Sequence, residues 1–190
     1  MAARNGLVDL TVLALLTVRP SHPYELHRFI IDTHKDYITG LPRSLYHAVE
    51  RLAKAELIAP TGTDREGRRP ERTVYEITDE GRQELITRLR RLLETPDPDR
   101  RAFVAGISLI GCLPLHEARR ALRTRAATLE GVLAGMEGHI RAMADSGLPE
   151  ILMLEVECEQ ALHTAELDWI RKLLDRLDKG ELDWVTSVEP

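Results

Sequence analysis

The chain has 190 residues, enough for one domain or two small ones, and 43% of them are hydrophobic, which predicts a folded core and excludes global disorder. The formal net charge of -5 at pH 7 excludes indiscriminate binding of polyanions by the whole surface. The charge is uneven, because the first 95 residues carry 15 Lys and Arg against 14 Asp and Glu while the last 95 carry 11 against 17, and this asymmetry predicts two parts with different tasks.

The first part of the chain predicts three helices. Residues 6–18 are expected to form a buried helix, because Asp9 interrupts an apolar run that is too short to span a bilayer. A second helix is expected over about residues 22–32, with Ser21 as its N-cap. A third, over residues 42–57, places apolar side chains on one face at helical spacing, namely Leu45, Ala48, Val49 and Leu52. Its opposite face is polar and carries Arg43, His47, Glu50, Arg51 and Lys54.

Two short strands are predicted after the third helix. Residues 57–62 and 73–78 favour β-structure, and the loop between them contains Gly67 and Pro70 as turn residues. This short stretch also gathers four arginines: Arg65, Arg68, Arg69 and Arg72. A fourth helix is expected to begin at Thr78 or Asp79 and to run to about residue 94. The sequence "TPDPD" that follows predicts a boundary between two domains, residues 1–94 and residues 99–190.

The remainder is predicted to be helical, with helices over about residues 99–112, from Pro114 onward and over about residues 150–178. The middle helix carries a near-heptad apolar seam, formed by Leu122, Ala126, Leu129, Leu133, Met136, Ile140 and Met143. The last helix carries a similar stripe, formed by Leu154, Cys158, Leu162, Ala165, Trp169, Leu173 and Leu177. Two or three helices are too few to bury this much apolar surface within one chain, and we therefore expect a homodimer. The residues expected at the dimer contact are Leu129, Leu133, Met136, Ile140, Leu162, Trp169 and Leu173.

Three helices followed by a two-stranded hairpin are the layout of a winged helix-turn-helix. The predicted fold is therefore mainly α with a small two-stranded β-hairpin, comprising an N-terminal winged helix-turn-helix and a C-terminal α-helical dimerisation domain. The third helix is the candidate for insertion into the DNA major groove. Its predicted contacts with bases or phosphates are Arg43, Ser44, Tyr46, His47, Arg51 and Lys54, with Tyr46 equally compatible with the edge of the core.

The arginine-rich loop is then the wing. The guanidinium fork suits phosphate and a narrow minor groove, which favours DNA contacts by Arg65, Arg68 and Arg69. Arg72 either joins them or pairs with Glu76 or Asp64 along the hairpin. Tyr24, at the start of the second helix, completes the predicted DNA-binding set.

Three stretches of the chain resemble the PadR-type transcriptional regulators. They are "LTVLALLTVRPSHPYEL", "GLPRSLYHAVERLAKAELI" and "GRRPERTVYEITDEGRQEL". The chain departs from the family pattern at Pro23, at His47 and Ala48, and at Glu56, which stands where a glycine is common. The resemblance implies a cytoplasmic, homodimeric repressor that binds double-stranded DNA at a pseudo-palindromic site. It also implies that some members respond to small aromatic ligands.

The sequence contains no pattern typical of catalysis or metal binding. It has no phosphate-binding glycine motif and no His-Glu-x-x-His, and its seven histidines are scattered. We therefore expect no enzymatic activity, no cofactor and no metal site. Cys112 and Cys158 are expected to pack as small hydrophobes in a reducing cytoplasm, with a disulfide between them as the alternative. Trp169 and Trp184 either line an effector pocket or serve packing and dimer contacts.

Two other functions compete with DNA binding. A winged-helix scaffold can bind protein without recognising any specific duplex, and a helical enzyme or ligand carrier has no role with nucleic acid. DNA binding alone predicts an affinity that falls steeply with salt, because each phosphate contact releases counterions.

Overall fold

The computed structural model describes residues 2–33, 42–64, 72–97 and 99–184. Within these ranges the chain is mainly helical with one antiparallel hairpin, as predicted. The helices are α1 (Ala2–Leu16), α2 (Pro23–Asp32), α3 (Pro42–Lys54), α4 (Asp79–Glu94), α5 (Arg100–Ser108), α6 (Leu115–Asp145) and α7 (Leu154–Asp178). The strands are β1 (Ile58–Asp64) and β2 (Arg72–Ile77), and short 3-10 turns cover Ile110–Cys112 and Glu150–Leu152.

Helix α2 begins one residue later than the sequence predicts. The N-cap is His22, whose Nδ1 accepts a hydrogen bond from the Tyr24 backbone at 3.0 Å, while Glu25 accepts from the His22 backbone at 2.9 Å. Ser21, the predicted cap, is instead buried and pairs with Tyr75 of β2 through two backbone hydrogen bonds of 3.0 and 3.1 Å. This bridge fixes the turn between α1 and α2 to the hairpin.

Helix α3 buries its predicted stripe, since Leu45, Ala48, Val49 and Leu52 are all at most 4% exposed. The helix ends in a Schellman arrangement, in which the Leu57 backbone donates to Leu52 and the Glu56 backbone donates to Ala53, both at 3.0 Å. That arrangement requires a left-handed residue, and Glu56 takes the role with φ of 58°. Glycine adopts this conformation without steric conflict, whereas glutamate does not.

The hairpin packs on the three helices through its inner residues. Ile58 pairs with Ile77 in register, and both side chains are buried in the core. The register shifts between Pro60 and Gly62, which marks an irregularity in β1. The backbone pairing extends to the ends of the two strands. An isolated two-stranded hairpin is marginal in water, so this packing gives it its stability.

Helix α4 connects the hairpin to the C-terminal helices. Thr78 is its N-cap, accepting from the Gly81 backbone at 3.0 Å and donating to the Glu56 carbonyl at 2.9 Å. Leu85, Leu89 and Leu93 are fully buried along one side, and α4 packs against α1, α5 and α6. The core therefore continues from the N-terminal helices into the C-terminal ones, and the division at residues 95–99 stays a prediction.

Helices α6 and α7 run antiparallel and are joined by ion pairs. Arg123 lies 3.3 Å from Asp178, Arg171 lies 2.8 Å from Glu130, and Arg119 donates to the Leu177 carbonyl. The seam on α6 is buried at Leu122, Ala126 and Leu129 and half-buried from Leu133 onward. On α7 the residues that enter the core are Leu167, Ile170 and Leu177.

Two further findings concern the two cysteines and the apolar character of the helices. Cys112 is buried as expected, but Cys158 is exposed, because its face of α7 points away from the core, and the two cysteines form no disulfide with each other. Among the described helices, none combines the length and the apolar character needed to cross a membrane.

Candidate nucleic-acid interface

The polar face of α3 is exposed, as the sequence predicts. Arg43, Tyr46 and His47 are exposed on its first two turns, and Ser44 is half-buried beside them. Lys54 is exposed in the last turn. Because the opposite face is fixed in the core, the helix presents a rigid polar surface to solvent.

The basic side chains on the polar face of α3 differ in whether a nearby carboxylate pairs with them. Within the described ranges, no acidic side chain forms an ion pair with Arg43 or Lys54. His47 lies 3.3 Å from Glu50, whose carboxylate is largely exposed. Arg43 and Lys54 are therefore placed to meet an anionic ligand, and Glu50 is the one carboxylate that the described part of α3 adds to the same face.

Arg51 is held by another helix. Its guanidinium lies 2.5 Å from the carboxylate of Asp9 on α1, which is mostly buried. The charge of Arg51 is thus neutralised within the protein, and the pair ties α3 to α1. The sequence placed Arg51 on the polar face correctly but gave no sign of the partner, which lies 42 residues away.

The other predicted DNA contacts are only partly within the described residues. Tyr24 is 51% exposed in the first turn of α2. Arg65, Arg68 and Arg69 lie outside the described residues. The strand ends that flank them, Asp64 and Arg72, are paired in the register of the hairpin.

The predicted dimer contacts fall into three groups. Leu129 is fully buried inside the chain and serves its own core. Leu133, Met136, Ile140 and Leu173 are half-buried. Leu162 and Trp169 are 45% and 44% exposed, and Leu154 on the same helix is 50% exposed. An apolar face of α7 is therefore uncovered in the single chain, which is typical of an interaction surface.

The two tryptophans occupy different environments. Trp184 is half-buried, packs against the core and donates its indole N–H to the Leu113 carbonyl at 3.0 Å. Trp169 packs edge-on against Phe103, with ring centroids 6.0 Å apart. Trp169 thus keeps an exposed edge, whereas Trp184 is occupied in packing.

A buried arginine is the feature that the sequence reading missed. Arg125 on α6 is 1% exposed and donates to Glu166 on α7 at 2.6 Å. The helical spacing could have indicated this burial, because Arg125 stands four residues from both Ala121 and Leu129 and therefore on the buried side of α6.

In the part of the chain that the structure describes, no three His, Cys, Asp or Glu side chains come together as a metal site would require.

Comparison with known proteins gives a family match for the N-terminal part of the chain. Residues 12–87 match the sequence model of the transcriptional regulator PadR-like family. Among solved structures, the chain is similar to Bacillus subtilis PadR in complex with operator DNA, with 19% identity over 89% of this chain and 98% of that chain and a TM-score of 0.43.

Two other solved structures are similar at comparable levels. The first is Bacillus subtilis PadR in complex with p-coumaric acid, with 19% identity over 90% of this chain and 99% of that chain and a TM-score of 0.39. The second is a putative transcriptional regulator from Thermoplasma acidophilum, with 28% identity over 46% of this chain and 79% of that chain and a TM-score of 0.39. The comparison with curated proteins gave no match.

Proposed function

We propose that the protein is a transcriptional regulator of the PadR-like family and acts as a homodimeric repressor on a pseudo-palindromic operator, because residues 12–87 match the sequence model of that family. The observation that carries the proposal is the exposed face of α3. It offers Arg43 and Lys54 without an acidic partner among the described residues, on a helix whose other face is buried in the core.

The contacts divide by position on the helix and wing. Arg43, Ser44 and His47 lie near the start of α3, the part of a recognition helix that meets base edges. Tyr46 and Tyr24, both exposed, border that region. Lys54 reaches phosphate. Arg51 holds α3 against α1 through Asp9 and so orients the helix instead of contacting DNA.

The wing supplies the second group of contacts. Arg68 and Arg69 are proposed to enter the minor groove or bind the phosphates beside it, with Arg65 at the margin. This proposal rests on the sequence of the loop and on the hairpin whose paired ends flank it.

Dimerisation is proposed through the exposed face of α7 and the distal half of α6. Leu162, Trp169 and Leu173 supply the α7 side, and Leu133, Met136 and Ile140 supply the α6 side. A two-fold dimer presents two α3 helices, and its half-sites are expected about one helical turn of DNA apart. A dimer seated on an operator in the cytoplasm would block transcription by occupying the promoter.

Release by a small aromatic ligand is the last part of the proposal. Trp169 supports it, because its indole is partly exposed and already stacked edge-on with Phe103, which leaves an aromatic surface at the proposed interface. Tryptophan fluorescence titrated with aromatic compounds tests this part. Quenching that accompanies loss of DNA binding is expected, and a panel that changes neither signal would contradict ligand control.

The salt dependence of operator binding tests the DNA-binding surface. Arg68→Ala and Arg69→Ala are each expected to make the slope of log affinity against log salt shallower by about 0.9, the value for one phosphate contact. Arg101→Ala is the matched control, because it removes the same charge from an exposed residue of α5, outside the proposed DNA and dimer surfaces. A slope that is unchanged in both wing variants would remove the wing from the interface.

A further inference from the structure

Arg125 is the one charged side chain that is fully buried among the described residues. Its Nε donates to Glu166 at 2.6 Å, and its Nη1 donates to the Thr95 carbonyl at 2.8 Å and to the Leu93 carbonyl at 3.5 Å. Its guanidinium also lies 4.0 Å from the centre of the Phe103 ring. Two of the three guanidinium nitrogens thus donate to protein oxygens, and one face of the group lies over an aromatic ring.

These partners come from three helices, which Arg125 on α6 links to one another. Leu93 and Thr95 form the end of α4, Phe103 belongs to α5, and Glu166 belongs to α7. Arg100 on α5 lies 3.9 Å from the other oxygen of Glu166. Arg125 therefore links the C-terminal end of α4, the helix that follows the hairpin, to α7, the helix that carries the exposed apolar face.

The chemistry of this cluster favours a single arrangement. A guanidinium presents its donors in a fixed planar fork, so its acceptors must keep their relative positions. Rotation of α4 against α7 would pull Thr95 or Glu166 out of reach and leave a charge buried without a partner, which is strongly unfavourable. An apolar contact of the same size tolerates sliding, since dispersion has little directionality.

We propose that Arg125 and Glu166 fix the angle between each winged domain and the dimer interface and thereby set the half-site spacing that the protein accepts. The inference rests on the proposed function, because it requires a dimer bound to two half-sites. Both residues act as positioning residues, since they are buried in the chain and reach DNA only through α4.

DNA geometry makes spacing a sensitive readout. One additional base pair shifts a half-site by about 3.4 Å along the axis and rotates it by about 35°. A rigid dimer cannot follow this change and loses the second contact, whereas a dimer with loosely joined domains can engage both half-sites.

The test uses the full-length protein and duplexes built from the selected operator. The duplexes contain either one half-site or two half-sites whose separation varies in steps of one base pair. The variants are Glu166→Gln and the double change Arg125→Met with Glu166→Leu, which replaces the ion pair by apolar groups of similar size and so preserves the fold. Arg123→Gln is the matched control, because it also removes an ion pair between α6 and α7, and among the described residues the Arg123 side chain bonds to Asp178 of α7 and not to α4.

When the half-site separation differs by one base pair from the optimal separation, the wild type and Arg123→Gln are expected to lose at least about tenfold in affinity. The double variant is expected to lose less than about threefold. The affinity for a duplex with a single half-site, and the dimeric state measured by sedimentation, are expected to stay unchanged in every variant. A double variant that keeps the sharp optimum, or that loses half-site and full-site affinity in parallel, would overturn the inference. A wild type that selects no duplex would overturn the proposed function and this inference together.

Discussion

Glu56 is held in a backbone conformation that its side chain disfavours. Its φ is 58°, and hydrogen bonds on both sides fix it there, from Leu57 to Leu52 and from Thr78 to the carbonyl of Glu56 itself. The side chain is exposed and forms no ion pair among the described residues. We therefore predict that Glu56→Gly stabilises the protein.

The size of the effect follows from two opposing contributions. A left-handed conformation costs a residue with a Cβ about 1–2 kcal/mol, and glycine removes that cost. Glycine also increases the freedom of the unfolded chain, which offsets about 0.4–1 kcal/mol. The net gain is about 0.5–1 kcal/mol, and each kcal/mol raises Tm by about 2–4 °C for a chain of this length.

Thermal and urea unfolding of the full chain measure this gain. Glu56→Ala is the matched control, since it removes the same charge but keeps the Cβ, and it is expected to leave Tm close to that of the wild type. A Glu56→Gly protein that is no more stable than Glu56→Ala would refute the assignment of strain to this residue.

Three further predictions concern the stability, the DNA binding and the oligomeric state of the protein. Gly81→Ala should lower Tm although alanine favours helices, because a Cβ at this position overlaps with the Leu57 carbonyl oxygen. Lys54→Ala should flatten the salt slope of DNA binding by about 0.9, whereas Arg51→Ala should weaken binding without that change, because Arg51 is already paired with an aspartate. Equal slopes for both variants would contradict this distinction. Leu162→Glu should shift the dimer to monomer in sedimentation, whereas Val104→Glu, a matched change at an exposed site on α5, should not.

The predictable part of the fold is the part that follows local rules. The apolar stripe of α3, a cap at Thr78 or Asp79 and an end of α4 at about residue 94 follow from helical spacing and capping chemistry. The structure confirms them, with Thr78 as the cap. The exposed polar arc of α3 was predictable for the same reason, because its opposite face had to be buried.

The parts that escaped prediction depend on tertiary contacts. Ser21, the predicted cap of α2, is engaged in a backbone bridge to Tyr75 of β2, and His22 caps the helix in its place. The pairing of Arg51 with Asp9 depends on how α3 lies against α1, and no local pattern specifies that register.

The two cysteines show a further limit of sequence patterns. The apolar stripe that contains Cys158 faces solvent in the single chain from Leu154 to Trp169. Its last member, Leu177, enters the core together with Leu167 and Ile170, which lie outside the stripe. A helix with apolar residues on two faces gives no indication of which face meets its own core. That choice was made by the packing of α7 on α6.

Selection of random-sequence duplexes by the purified full-length chain tests the central claim most directly. The account predicts enrichment of one pseudo-palindrome whose half-site centres lie about 10–10.5 base pairs apart, with binding that weakens steeply as salt rises. Selection that enriches no sequence, with only weak binding shared equally by all duplexes, would contradict a sequence-specific regulator.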